Sequence, residues 1–364
     1  MKKLLIVAGT RPEIIKVAPV LLSCERDYGG RLAASFCLTG QHLQMANEAM
    51  SIFGLKPERN MEIMRPNQTL NQIAEAIFQR LPGVIGEIKP DVLVVQGDTT
   101  TASMAALCAF NMQVPVAHVE AGLRSYDLEA PYPEEMNRKL INSFARFNFA
   151  PTAHAKRNLL REAVPEERIV VTGNTIVDAL MRIGSTYPLS DLTSVHPQVR
   201  PPFVLVTAHR RESFGEGIAD ICRALRDSAL KNTDIQFIYP VHLNPNIKQP
   251  VNDLLANLPN VLLIEPLSYL GLLTLLKNCL FVITDSGGIQ EEAPSFRKYC
   301  IVMRKVTERT ESVEEGISEL VGTDPAKILA AVEKAVRRGE LSSNENPYGD
   351  GKASERILET LLNA

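Results

Sequence analysis

The feature that most constrains this chain is a recurring three-part rhythm. A short unbroken apolar run stops at a loop carrying glycine and charge, and helical spacing of apolar residues follows. Leu4 to Ala8 stops at Gly9, and Ile14, Ile15, Ala18, Leu21 and Leu22 then fall on one helical side, with Pro12 suited to the first turn. Asp91 to Val95 is closed by Gly97-Asp98 and followed by an Ala-rich helical stretch, Ser103 to Phe110. Val114 to Val119 ends at Glu120-Ala121-Gly122, and Pro133-Glu134-Glu135 opens a helical pattern running past Leu140 to Phe144. Apolar runs this short suit parallel strands covered on both faces, and their alternation with helices predicts a doubly wound α/β sheet. In such sheets ligands bind beyond the C-terminal ends of the strands, where these three polar loops all stand.

The rhythm occurs twice. Around residues 184–202 it is interrupted by Pro188, Pro197, Pro201 and Pro202 among Ser, Thr and Asp, which reads as a linker. It resumes with strands expected at Phe203–Thr207, Ile235–Tyr239, Val261–Ile264 and Leu280–Thr284. A length of 364 residues exceeds one ordinary core and agrees with two domains. The expected division is 1–175 and 176–352, with a last helix in 353–364 crossing back onto the first domain.

Composition narrows function by exclusion. A net charge of −3 with six scattered histidines leaves no basic footprint for nucleic acid or an anionic membrane. Cys24, Cys37, Cys108, Cys222, Cys279 and Cys300 lack metal-ligand spacing and read as buried free thiols of a reducing compartment. No metal site is expected. The apolar run after Met1-Lys2-Lys3 is too short for a signal peptide, and no run approaches the ~18 residues of a membrane span, so a soluble cytoplasmic protein is expected.

Several loops carry chemistry. Asp285-Ser286-Gly287-Gly288 ends a strand and opens a helix holding Gln290, Glu291 and Glu292; glycines there let backbone N–H groups approach a diphosphate, and Glu292 can accept from ribose hydroxyls. A tight turn that needs glycine accounts for the same residues. Gly9-Thr10-Arg11 is not a dinucleotide fingerprint, which argues against a nicotinamide cofactor. Arg11 and Lys16 can grip phosphate, or serve as surface charges on a capped helix. Asp98, Glu120 and Glu134 share one sheet edge. Crowded acids raise one another's pKa and suit proton transfer, while Asp98 and Glu134 also stand where acids cap helices. His209, flanked by Arg210 and Arg211, reads as part of an anion site at the end of the second domain's first strand, and His242 similarly at the next. Arg309 adds a positive charge or is a solvated loop residue. His118, within an apolar run, reads as a satisfied core residue.

Taken together, the segments GTRPEIIKVAP, TGQHLQM, QGDTTT, HVEAGLRS, PYPEEMNR, TGNTIVDAL, TAHRRESFG, YPVHLNPN, TDSGGIQEEAPS, TERTES and NPYGDGKASERI run in order from residue 9 to residue 357. In this they closely resemble the bacterial non-hydrolysing UDP-N-acetylglucosamine 2-epimerases. The resemblance implies two Rossmann-like domains facing a central cleft, glycosyltransferase-B-like, usually in a homodimer. It implies reversible C2 epimerisation without a cofactor, feeding surface polysaccharide synthesis. It assigns Arg11, Ser286, Gly288, Glu292 and Arg309 to UDP, with Lys16 and Gly287 beside them, and Asp98, Glu120, Glu134 and His209 to catalysis. Gln41, Gln44, Arg210 and His242 match positions where some members bind a second, activating UDP-N-acetylglucosamine. Gln96 stands where the family often has His. A glycosyltransferase of the same fold, a hydrolase releasing free N-acetylmannosamine, and a sugar-nucleotide sensor are the competing readings.

Overall fold

In the computed structural model the described residues are 1–40, 43–210, 213–339, 341 and 346–364, the side chains of residues 43 and 44 lying outside that set. They form two compact units, Met1–Ile183 with Tyr348–Ala364, and Gly184–Pro347. Among the described residues no helix is long and apolar enough to cross a membrane.

The first unit is built on seven parallel strands: β1 (Lys2–Ala8), β2 (Leu32–Leu38), β3 (Arg59–Asn60), β4 (Val92–Gln96), β5 (Val116–Val119), β6 (Phe147–Ala150) and β7 (Ile169–Val171). Their order is β3-β2-β1-β4-β5-β6-β7, so the winding reverses at β1, between β2 and β4. In β1, Leu4 to Ala8 are wholly buried, as a central strand covered by helices on both faces requires. Register pairs Val7 with Cys37 on one side and Val95 on the other. The helix Thr100–Asn111 lies over Leu5, Val7, Leu93 and Val95 through Ala102, Ala105, Ala106 and Ala109; short side chains there bring the helix close to the sheet.

The second unit has six parallel strands: β8 (Phe203–Thr207), β9 (Gln236–Pro240), β10 (Val261–Ile264), β11 (Phe281–Thr284), β12 (Tyr299–Val302) and β13 (Ser318–Leu320). The order β10-β9-β8-β11-β12-β13 repeats the topology of the first unit, with its reversal between β8 and β11. Val204, Val206, Phe237, Tyr239, Phe281, Ile283 and Ile301 form the sheet side of its core. Both halves are thus doubly wound Rossmann-like sheets.

Two passages join the units. The boundary expected between residues 175 and 176 falls at the first residue of the helix Thr175–Thr186, whose apolar side is buried as far as Ile183, and the division comes after that residue. Residues 184–202, expected as a linker, are packed onto the second unit. They include a short helix, Leu192–Val195, Leu189 and Val199 are buried, and Asn278 donates to the Leu189 carbonyl at 2.9 Å. The final helix, Ala353–Asn363, packs on Arg11–Tyr28 in the first unit. Asp178 accepts from the N–H groups of Ala353 and Ser354, at 3.2 and 2.8 Å, and so satisfies two donors of that helix start.

Candidate active site

At the first unit's switch point the loops after β1 and β4 meet. Glu13, in the first turn of Arg11–Tyr28, joins them. Its Oε2 accepts from the Gly9 and Thr10 N–H groups and the Thr10 hydroxyl at 3.0, 2.7 and 2.7 Å, and its Oε1 accepts from the Thr99 hydroxyl at 2.7 Å. Burial pushes the Glu13 carboxyl above its ordinary value, against the lowering by these bonds.

Capping does not consume Asp98, whereas Glu134 does stand in the first turn of its helix. The helix after β4 is capped by Thr99, whose hydroxyl accepts from Ala102 N–H at 3.0 Å; this leaves Asp98 to Arg138, which donates to Asp98 Oδ2 from Nη2 at 2.5 Å and to Glu135 Oε2 from Nη1 at 3.1 Å. Glu135 is wholly buried and also accepts from the Ser125 and Tyr126 N–H groups, at 3.0 and 3.1 Å. Asn137 donates to the Asp98 carbonyl at 2.8 Å, and its own carbonyl accepts from the Ser103 hydroxyl at 2.9 Å. His118 Nε2 donates to the Gly97 carbonyl at 2.7 Å, with Asn142 at Nδ1. The helix Glu134–Phe144 therefore starts with one candidate acid and, through Asn137, Arg138 and Asn142, fixes the loop bearing another.

Glu120 follows β5 at φ +70, a left-handed conformation that a non-glycine residue adopts at a cost of order 1 kcal/mol. Its buried carboxylate forms an ion pair with Lys16 and accepts from Gln96 Nε2 at 3.0 Å. Gly122, two residues on, has φ +90, and a Cβ there would stand 2.3 Å from the Ala155 carbonyl, so only glycine lets the chain turn beneath Glu120. Lys16, read from sequence as a phosphate ligand, is thus engaged with a carboxylate. Arg11, at the helix start, lies 3.8 Å from Glu48. Asp98 and Glu120 each have a cation as a close charged partner, where the sequence suggested acids set against one another.

The second unit's switch point carries the other set. Asp285, wholly buried after β11, accepts from the N–H groups of His209 and Arg210 through Oδ2, both at 2.8 Å. The His209 ring lies 6.1 Å from that of His242, nearly parallel at 18°. His242 Nδ1 accepts from Asn244 N–H at 3.1 Å, and burial, then the neighbouring His209, hold its pKa below the ordinary value. Arg309 is buried rather than solvated. It donates to Glu291 at 2.9 Å and lies 3.1 Å from Glu308, which also accepts from Arg304 at 2.8 Å. Gly287 makes room for it, since a Cβ there would sit 2.9 Å from the guanidinium carbon. Ser286 N–H is turned back on Thr284, and Glu292 accepts from the Tyr269 hydroxyl at 2.8 Å. Arg210 stands beside His209. Of the remaining residues matched to an activator position, Gln41 and the side chain of Gln44 lie outside the described residues.

Residues matching the UDP-N-acetylglucosamine 2-epimerase profile span 25–362. The chain belongs to the UDP-N-acetylglucosamine 2-epimerase family. The Salmonella typhimurium member of that name is 45% identical over 370 residues, covering 99% of this chain and 98% of its own. The epimerase of Neisseria meningitidis, solved bound to UDP-GlcNAc, superposes with a TM-score of 0.93 at 41% identity over 100% of both chains. That of Methanocaldococcus jannaschii, solved in complex with UDP-GlcNAc and UDP, gives 0.87 at 35% identity, again over 100% of both. The sequence reading overlooked Glu13, Arg138, Asn137 and Asp285, which hold these loops in place. Arg138 had a signal, lying one turn beyond Glu134 in PYPEEMNR, and Asp285 opens the glycine loop itself.

Proposed function

We propose that this epimerase inverts C2 of UDP-N-acetylglucosamine by eliminating and re-adding UDP, giving UDP-N-acetylmannosamine. The C2 proton is not acidic while the sugar is intact. As the C1–O bond breaks, its electron pair leaves with UDP and C1 becomes oxocarbenium-like, which acidifies C2. A carboxylate takes that proton, and the C2–H electrons form the C1–C2 double bond of a glycal. A second acid returns a proton to the opposite face, and the UDP oxygen re-attacks C1. No electron is gained or lost overall, so the scheme calls for no nicotinamide.

Asp98, Glu120 and Glu134 are the proton-transfer candidates. Ser286, Gly287, Gly288, Glu292 and Arg309 hold UDP, with Arg11 toward the phosphates, and His209 stabilises charge on the departing diphosphate. Lys16 acts through Glu120, holding it ionised and in place. A second UDP-N-acetylglucosamine at Gln41, Gln44, Arg210 and His242 acts as activator, the working form is a cytoplasmic homodimer, and the product feeds a surface polysaccharide. The observation that carries the reading is the acids themselves. A ligand that is already an anion needs cations for binding, and a strained, buried Glu120 with Asp98 left uncapped is explained by proton transfer.

The test is a proton NMR time course in deuterated water with UDP-N-acetylglucosamine alone. UDP-N-acetylmannosamine carrying deuterium at C2 is expected. Product that keeps its C2 proton, or free N-acetylmannosamine accumulating with UDP, overturns the scheme. Asp98→Asn should stop the exchange and leave UDP binding intact; normal exchange removes Asp98 from the chemistry.

A further inference from the structure

We propose that Asp285 is the positioning residue for His209, accepting its Nδ1 proton so that proton exchange is confined to Nε2. The inference rests on the reading of His209 as the group facing the departing diphosphate. Asp285 Oδ2 is occupied by the two backbone N–H groups of residues 209 and 210. Oδ1 is buried with no hydrogen bond closed on it, and His209 Nδ1 stands 3.3 Å away. A buried carboxylate oxygen left without a donor loses its hydration with nothing in return, so a protonated Nδ1 is the arrangement that satisfies it. The groups around His209 agree. His242 is stacked beside it and uses its own Nδ1 as an acceptor, so it offers Oδ1 no competing donor there. Arg210 directs its backbone N–H to the other oxygen. With Nδ1–H fixed on Asp285, the imidazole is held against rotation, and its doubly protonated form offers Nε2–H as a hydrogen bond to the phosphate oxygen as the C1–O bond breaks. The proton stays on Nε2, and the hydrogen bond weakens again when the UDP oxygen re-attacks C1.

Asp285→Asn separates the roles. Its amide oxygen still accepts from both backbone N–H groups, while its NH2 faces Nδ1 and forces the opposite tautomer. Nitrogen-15 NMR of histidine-labelled full chain, with His209→Gln for assignment, should show the Nδ1–H tautomer in the parent and Nε2–H in Asp285→Asn. Turnover should fall about 100-fold with KM changed less than about threefold. In a His209→Gln background the same substitution should cost nothing further. An Nε2–H tautomer in the parent, unchanged turnover, or an equal loss in both backgrounds overturns the inference. Unchanged turnover in His209→Gln alone removes the underlying reading of His209 instead.

Discussion

Arg138→Met tests whether one guanidinium serves both stability and catalysis. Arg138 is buried and bonded to two acids, Glu135 with a side chain 0% exposed and Asp98 with one 20% exposed. Removing one partner of a buried pair costs about 3–5 kcal/mol. Water reaches Asp98, so its share is smaller, and Glu135 keeps the Ser125 and Tyr126 N–H groups. A loss of about 3 kcal/mol follows, which lowers the melting midpoint of a unit this size by about 6–12 °C. The backbone of the Gly97-Asp98 loop stays held by His118 and Asn137, so the Asp98 carboxylate is mispositioned while the loop persists. Turnover should fall about 10- to 100-fold with KM nearly constant. Adding Glu135→Gln removes the orphaned buried charge, and stability should return to within about 1 kcal/mol of the parent. Turnover should stay low, because Asp98 still lacks its partner. Calorimetry and the epimerisation assay read the two effects separately. Recovery of turnover in the double variant, or a loss below about 1 kcal/mol in the single one, refutes the reasoning.

His118 makes the first unit acid-sensitive. Burial depresses its pKa from 6.5 to about 4, so between these values the unfolded chain binds a proton that the folded chain does not. Stability therefore falls as pH drops through that window, by roughly 3 kcal/mol in all. His118→Gln keeps a donor for the Gly97 carbonyl and should flatten this part of a plot of urea midpoint against pH; an unchanged slope counts against the assignment. Gly287→Ala forces the Arg309 guanidinium off Glu291, and UDP affinity by titration calorimetry should drop at least about tenfold. Parent-like affinity would mean that Arg309 does not depend on that space.

Long-range order was legible where runs were apolar and ended in distinctive loops. β8 and β10 match their expected limits, β1 begins two residues earlier than expected, and β4 is shifted by one residue. Six strands among the described residues were not anticipated; β6 and β12 are short apolar segments that were passed over, and the other four have physical reasons for silence. β2, Leu-Ala-Ala-Ser-Phe-Cys-Leu, mixes small and polar residues with apolar ones, and β3, β7 and β13 are too short to show a period. They are strands because a neighbour already in the sheet offers unpaired N–H and C=O groups, a property of the assembled sheet rather than of the segment. In the site, Asp98, Glu120 and His209 could be picked out because each sits where a strand meets a glycine or a charge cluster. Which cation each acid pairs with could not. Arg138 is 40 residues from Asp98 and Lys16 is 104 from Glu120.

The two units share a device that no sequence repeat announces. Where a doubly wound sheet reverses direction, the loops after its first and fourth strands leave toward opposite faces and expose backbone N–H groups between them. In the first unit Glu13 gathers the N–H groups of Gly9 and Thr10 and the Thr99 hydroxyl. In the second Asp285 gathers those of His209 and Arg210. One carboxylate lies in the helix after the first strand, the other in the loop after the fourth, so aligning the halves would never pair them. Each is wholly or almost wholly buried and satisfies donors that water would otherwise have to reach. The shared requirement is therefore topological. An acid is needed to tie the two loops, either loop can supply it, and the candidate chemistry of each unit stands on residues adjoining that tie.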